Sequence, residues 1–276
     1  MSAIDTARLV ALAAIWGASF LFNRIAAPVL GPILTAELRT LIAGIALAVF
    51  FAFTGFSADW RRWWRHYLIV GILTSALPFV LWAYAALTLT AGLMSVLNAT
   101  SPMWGAVLLG ERLTARRALG LLIGVAGVAL VTRPEADFNV AAVAAALCAA
   151  FSYGLAGTYM RRKAAEVPSR GMAVGTQLVA GFLLIPLIPL WPPSAALTPL
   201  VATSILALGL VCGAIAYLLY FRLIADIGPT GALTVTYLIP VFGVLWGAIF
   251  LGETVSASML AGAGLVLLGT VFVLRK

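Results

Sequence analysis

Few side chains in this sequence are equipped for acid–base or metal chemistry, and they are scattered. There is one histidine, His66, with nine carboxylates and two cysteines in 276 residues. Glu37 and Arg39 stand two apart near the start of an apolar stretch, and Arg24 closes the stretch before it. Charged groups inside apolar stretches mark ion pathways and gates by default, so Arg24, Glu37 and Arg39 form a candidate outer gate. The alternative is an interfacial set whose long stems carry their heads back to water. His66 follows Trp63, Trp64 and Arg65, an aromatic and basic cluster that reads as a membrane-interface belt rather than a proton relay. With one histidine and no clustered acids, a hydrolytic or metal-dependent centre has no material. No catalytic residue, metal or cofactor is expected, and the chain is not read as an enzyme. Cys148 and Cys212 each lie in an apolar stretch and read as buried thiols.

Neutral polar and aromatic side chains are the better candidates for holding a ligand. A pocket is mostly apolar and aromatic, with a few placed polar groups. Asn98, Thr100 and Ser101 precede Pro102, and Thr234, Thr236 and Tyr237 precede Pro240. Trp16 and Ser19, Trp82 and Tyr84, Tyr153, Gln177, and Tyr217 and Tyr220 occupy other apolar stretches. The alternative for each aromatic is packing, and for each hydroxyl a bond to its own helix. Together they suit a small amphipathic zwitterion. A phosphate carrier should instead aim Lys or Arg into the cavity, and none is expected there.

These residues need a scaffold that lives in an apolar solvent. The chain is 63% hydrophobic and 9% charged, against about 25% charged in a soluble domain. It is therefore read as an all-α integral membrane protein. About 20 apolar residues cross a bilayer as a helix, and ten stretches qualify, at roughly 7–27, 33–54, 67–88, 91–109, 116–132, 139–160, 171–190, 199–222, 230–250 and 257–274. The first is followed by many like it, so it is expected to stay as a helix rather than act as a leader. With both termini in the cytoplasm, 14 of the 17 basic residues fall on the inner side and only Arg24, Arg39 and Arg133 on the outer. The net charge of +8 thus reads as a topology signal rather than a nucleic-acid footprint.

The second half repeats the first. At an offset of 137, Gly17 meets Gly154, Arg24 meets Arg161, and Ala43-Gly44 meets Ala180-Gly181. At 142, Leu109-Gly110-Glu111 meets Leu251-Gly252-Glu253, Gly120 meets Gly262, and Gly127 meets Gly269. Residues 1–137 and 138–276 are read as two five-helix repeats within one structural unit. An odd helix number inverts the second copy, the architecture of many secondary transporters. Pro102 and Pro240 occupy corresponding stretches and, with Pro78, are candidate kinks or hinges. Gly120 and Gly124 make a small-residue face for packing within a monomer, or for a weak homodimer. Glu111 and Glu253 read as helix-boundary residues, with Thr114 and Ser256 capping the helices that follow.

The stretches "AIWGASFLFNR" at 14–24, "ELRTLIAG" at 37–44, "LLGERLT" at 108–114 and "TYLIPVFGVLWGAIFLGETVS" at 236–256 resemble the drug/metabolite transporter superfamily, in particular its EamA-type ten-helix exporters. Pro240 to Glu253 is 13 residues, whereas Pro102 to Glu111 is nine, so the first half departs from the family spacing by about one helical turn. The resemblance implies a bacterial inner-membrane exporter of small metabolites, often amino acids. "PVLGP" leans toward YddG-like exporters of aromatic amino acids. The expected partners are a small-molecule substrate and membrane lipid, with no nucleic acid. The rivals are a multidrug or cationic-compound exporter on the same fold, a nucleotide-sugar or phosphate-ester exchanger, and a membrane enzyme acting on lipid-linked substrates.

Overall fold

A computed structural model describes residues 2–109, 114–132, 139–232 and 234–274, and all regular structure in them is helical. Glu111, Arg112, Arg133 and Arg275 lie outside the described residues, so the readings placed on them stay at the sequence level.

Helix α1 runs Ala3–Ala52, 50 residues. Straight, it would be about 75 Å long, more than twice a hydrocarbon layer of about 30 Å. It is broken at Gly31, which sits at φ 77°, ψ 160°, a conformation open almost only to glycine; Pro32 follows and presets the next arm. The two arms fold back side by side. Ile15 and Trp16 of the first arm both bond Cys212, while a β-carbon on the adjacent Gly213 would touch Ala43 of the second. Ser2 and Asp5 form a capping box at the α1 start.

Helices α2 (Trp60–Gly71) and α3 (Leu77–Ala85) are joined by a π-helical turn at Ile72–Ala76 into one apolar rod. Next come α4 (Ala91–Asn98) and α5 (Ser101–Leu108), separated at Ala99-Thr100, then α6 (Ala115–Val131) and α7 (Val140–Lys163). Helix α8 (Ser169–Leu184) tightens into a 3₁₀ stretch at Ile185–Leu190, where Pro186 and Pro189 cannot continue an α ladder. Helix α9 (Pro199–Leu206) passes through a π stretch at Ala207–Ile215 into α10 (Ala216–Ala232), which breaks at Gly228 with the same geometry as Gly31. Helices α11 (Val235–Leu251) and α12 (Ala257–Leu274) complete the chain.

Five of these stretches are long and apolar enough to cross a membrane. Large apolar side chains such as Phe182, Leu122 and Phe250 point outward, as they must when the solvent is hydrocarbon. The first α1 arm, α3, α4, α7 and α10 share the main buried cluster. Thr114 and Ser256 cap α6 and α12 as expected, accepting from the amides of Arg117 and Met259. Helices α6 and α12 pack backbone to backbone through Gly120, Gly127, Gly262 and Gly269. The small-residue face is thus used inside one chain.

Candidate functional site

A polar and aromatic cluster lies where α1, the α2–α3 rod, α7, α8 and α10 converge. Gln177, 1% exposed, donates its amide to the Ser75 hydroxyl and to the Tyr217 hydroxyl oxygen, each at 3.1 Å. Ser75 belongs to the first π turn, and the next residues on its face are Phe79 and Trp82, four and seven positions on. Trp82 is buried edge-on against Phe20, ring centroids 5.2 Å apart, and Tyr153 stands beside it. The guanidinium of Arg39 caps the Phe79 ring at 3.7 Å and lies within electrostatic reach of Tyr153, Tyr217 and Cys212.

The two π stretches supply backbone contacts to the same region. The Ser152 hydroxyl donates to the Leu73 carbonyl in the first, at 2.8 Å. The Trp16 indole donates to the Cys212 carbonyl in the second, at 3.3 Å, while its ring leans on Tyr220. A π turn widens the helix and is enriched at functional sites. Beside it, Ala14, Ile15, Ala18, Phe22, Val211 and Trp246 line an apolar groove.

The structure therefore brings together Trp16, Trp82, Tyr153, Gln177, Tyr217 and Tyr220 of the expected cavity set. It places the others elsewhere or spends their polar atoms locally. Ser19 donates to the Trp16 carbonyl, Thr100 to Leu97 and Ser101 to Asn98, each within its own chain segment. Tyr84 packs against Trp191 near the Gly31 break. Thr236 and Tyr237 lie part-buried in the first turn of α11, and Tyr237 makes no hydrogen bond to the cluster. Ser75 and Phe79 were missed from the sequence. Their shared face with Trp82 was the available signal.

The prolines divide as well. Pro102 follows the α4–α5 break, and Pro78 follows the π turn. At Pro240 the helix is not interrupted: α11 runs on through it from Val235 to Leu251. It sits in the second turn of the helix, where only one early ladder bond is lost.

The expected grouping of Arg24, Glu37 and Arg39 also dissolves. Arg24 pairs with Glu253, Nε to Oε1 at 3.7 Å, and donates to the Ala86 carbonyl at 2.8 Å. Glu253 in turn accepts the backbone amides of Ala91 at 2.8 Å and Gly92 at 3.3 Å. This corrects its reading as a boundary residue of its own helix: it caps α4, from the other half of the chain. Thr90 caps the next amide, Leu93, so the first three orphan donors of α4 are all satisfied. Glu37 is buried and forms no ion pair among the described residues. At the opposite end of α1, Arg8 and Arg222 share Asp226. There too, Tyr159 bonds His66, and Arg62 and Arg65 stack on Trp63 and Trp64.

The model of the EamA-like transporter family matches residues 7–133 and again 140–275. The transporter YvbV of Bacillus subtilis is 29% identical over 271 residues, 95% of this chain and 88% of that protein. The inner membrane transporter YedA of Escherichia coli is 28% identical, covering 96% and 89%. A protein of Streptantibioticus cattleyicolor named a probable terminal-alkyne amino-acid exporter is 25% identical, covering 86% and 82%. A solved crystal structure superposes with a TM-score of 0.69 at 19% identity over 99% of this chain and 97% of that one, which speaks to fold alone.

Proposed function

The chain belongs to the EamA-like transporter family, and from that premise we propose that it exports small amphipathic metabolites, amino acids foremost, aromatic or broad in range, across a bacterial inner membrane. The observation that carries this reading is the Gln177–Ser75–Tyr217 cluster with its aromatic wall. It draws residues from both halves of the sequence and buries polar groups where a bilayer would have its interior. A relative named for amino-acid export supports the substrate class.

The cycle is read as alternating access between two inverted five-helix halves. Two matching observations favour it. Both the α2–α3 rod and the α9–α10 rod, third in their halves, carry a π stretch, and the family matches the two halves separately. The Arg8–Asp226–Arg222 end is read as cytoplasmic, which the basic clusters around it support. The Arg24–Glu253 contact then closes the outer end by tying α1 and the α11–α12 corner to α4. A cationic-compound exporter would require an acid in the cluster, and among the described residues none sits there. Movement down a gradient, without a titrating carrier group, is the coupling proposed.

The test is uptake of a panel of labelled amino acids into proteoliposomes. Saturable flux of at least one, with competition by others, is expected. If none is transported or competes, the substrate class is wrong.

A further inference from the structure

The buried cluster contains one full charge with no opposite charge beside it. Arg39 is only 6% exposed and lies about 12 Å along α1 from the Gly31 break. The positive-inside count placed it at the outer rim; about 12 Å of helix, set against a hydrocarbon layer of about 30 Å, argues instead for a position well inside. Among the described residues its guanidinium has no hydrogen-bond partner and no ion pair. Its close contact is the Phe79 ring. A cation–π contact offsets only part of the cost of taking such an ion out of water. The ring alone does not balance the charge.

No described acid is available to do so. Asp5 and Asp226 are engaged at one end and Glu253 at the other. Asp59 precedes α2, and Glu166 lies between α7 and α8. Glu37 is two residues away on the same helix, hence about 200° around it. The guanidinium nitrogens are also absent from the buried polar atoms sealed off without a partner. They therefore keep some accessible surface, enough for a ligand atom to approach them. Five donors in a planar fork match a carboxylate in two parallel bonds. Within electrostatic reach of Arg39, the Tyr217 hydroxyl accepts from Gln177 and has the Ser75 hydroxyl as its other neighbour.

We infer that Arg39 anchors the carboxylate of the transported metabolite, with the Tyr217 and Tyr153 hydroxyls as polar neighbours and the Trp82 and Phe79 rings as the apolar wall. This deepens the transport reading and rests on it. The expectation of a cavity without a basic group is thereby replaced.

The test is binding to the purified full chain in detergent, followed by thermal shift and by displacement of a labelled amino acid. The probes are phenylalanine and leucine, each with its carboxamide and its decarboxylated amine, with sodium chloride titrated separately. The acids should bind wild type about 30-fold or more tightly than their amides. Arg39→Gln should erase that preference, and Arg39→Lys should keep part of it. The inference is overturned if amides or amines bind as well as acids, if acids bind Arg39→Gln as they bind wild type, or if chloride alone stabilises the protein through Arg39. Should Arg39→Gln fail to fold, the acid-to-amide ratio of the wild type decides. Liposome flux separates the two readings. Amines or amides carried without any acid preference remove the anchor and leave transport intact, whereas no flux in any series removes both.

Discussion

Replacing Glu253 by glutamine tests the contact that joins the two halves at the Arg24 end. The amides of Ala91 and Gly92 are the first two of α4, and no carbonyl within that helix reaches them. Their protection depends on the Glu253 carboxylate, at 2.8 and 3.3 Å. Glutamine keeps the size and one acceptor oxygen, so one amide stays bonded. It loses the second acceptor and the charge that faces the helix N-terminus, together about 1 kcal/mol. It also loses the pairing with Arg24, whose side chain is 28% exposed and 3.7 Å away; a pair in that setting contributes about 0.5 kcal/mol. The total of about 1.5 kcal/mol corresponds to roughly a tenfold change in an opening equilibrium. Hydrogen exchange at Ala91 and Gly92 should therefore quicken about tenfold in Glu253→Gln, with Leu93, capped by Thr90, changing less. Gly247→Ala should reproduce the effect with Glu253 intact, because a β-carbon there would collide with Oε2 of the carboxylate. Unchanged exchange at Ala91 and Gly92 in both variants would refute the cap.

Three further outcomes follow from the backbone and from the buried acid. Gly31 and Gly228 share φ 77°, but a β-carbon at Gly31 would also press on Trp191 while one at Gly228 meets nothing. Both alanine variants should be destabilised by about 1–3 kcal/mol of strain, read as a lower melting temperature, with Gly31→Ala the worse; equal losses would sink the Trp191 contact. On α12, Gly269→Ala drives a β-carbon to 2.5 Å from the Gly120 carbonyl, whereas Gly264→Ala enters open space. The first should destabilise by about 1–3 kcal/mol and the second be neutral or gain up to about 1 kcal/mol, both read by thermal unfolding in detergent, and the reverse order would contradict the α6–α12 seam. Finally, proteoliposome flux should not depend on a pH gradient in wild type or in Glu37→Gln; a gradient-driven flux that vanishes in Glu37→Gln would show that Glu37 carries protons.

What could be read from the sequence and what could not separate along a physical line. Hydropathy acts locally, so the helical class and the positions of the apolar stretches followed from composition and length. Caps are local too, and Thr114 and Ser256 sit where expected. Glu253 misled because its amide partners lie 162 and 161 positions away. Nothing within its own heptapeptide indicates which helix start it will face. The π stretches at Ile72–Ala76 and Ala207–Ile215 likewise leave no residue signature, since their register is set by the helices packed around them.

Arg39 was misplaced for a different reason, and that reason bears on how its role is judged. The positive-inside rule counts charges in loops and assumes that a basic residue near a span end reaches water. For Arg39 the assumption fails even though the sequence already set the start of its span at residue 33, because the rule counts a basic residue by its nearest loop and not by its depth in the helix. The Leu30-Gly31-Pro32 turn starts the second arm of α1 within one residue of the first arm's end, which puts Arg39 two full turns inside it. Its stem then runs toward the Phe79 ring rather than toward the rim. A cation held there without a carboxylate is unfavourable for the empty protein. The fold tolerates that cost at one position, within a cluster otherwise satisfied by neutral hydrogen bonds. A charge left open in this way makes the empty cavity the less stable form and an occupied one the more stable, which is the energetic bias a carrier needs to select a carboxylate before it changes shape.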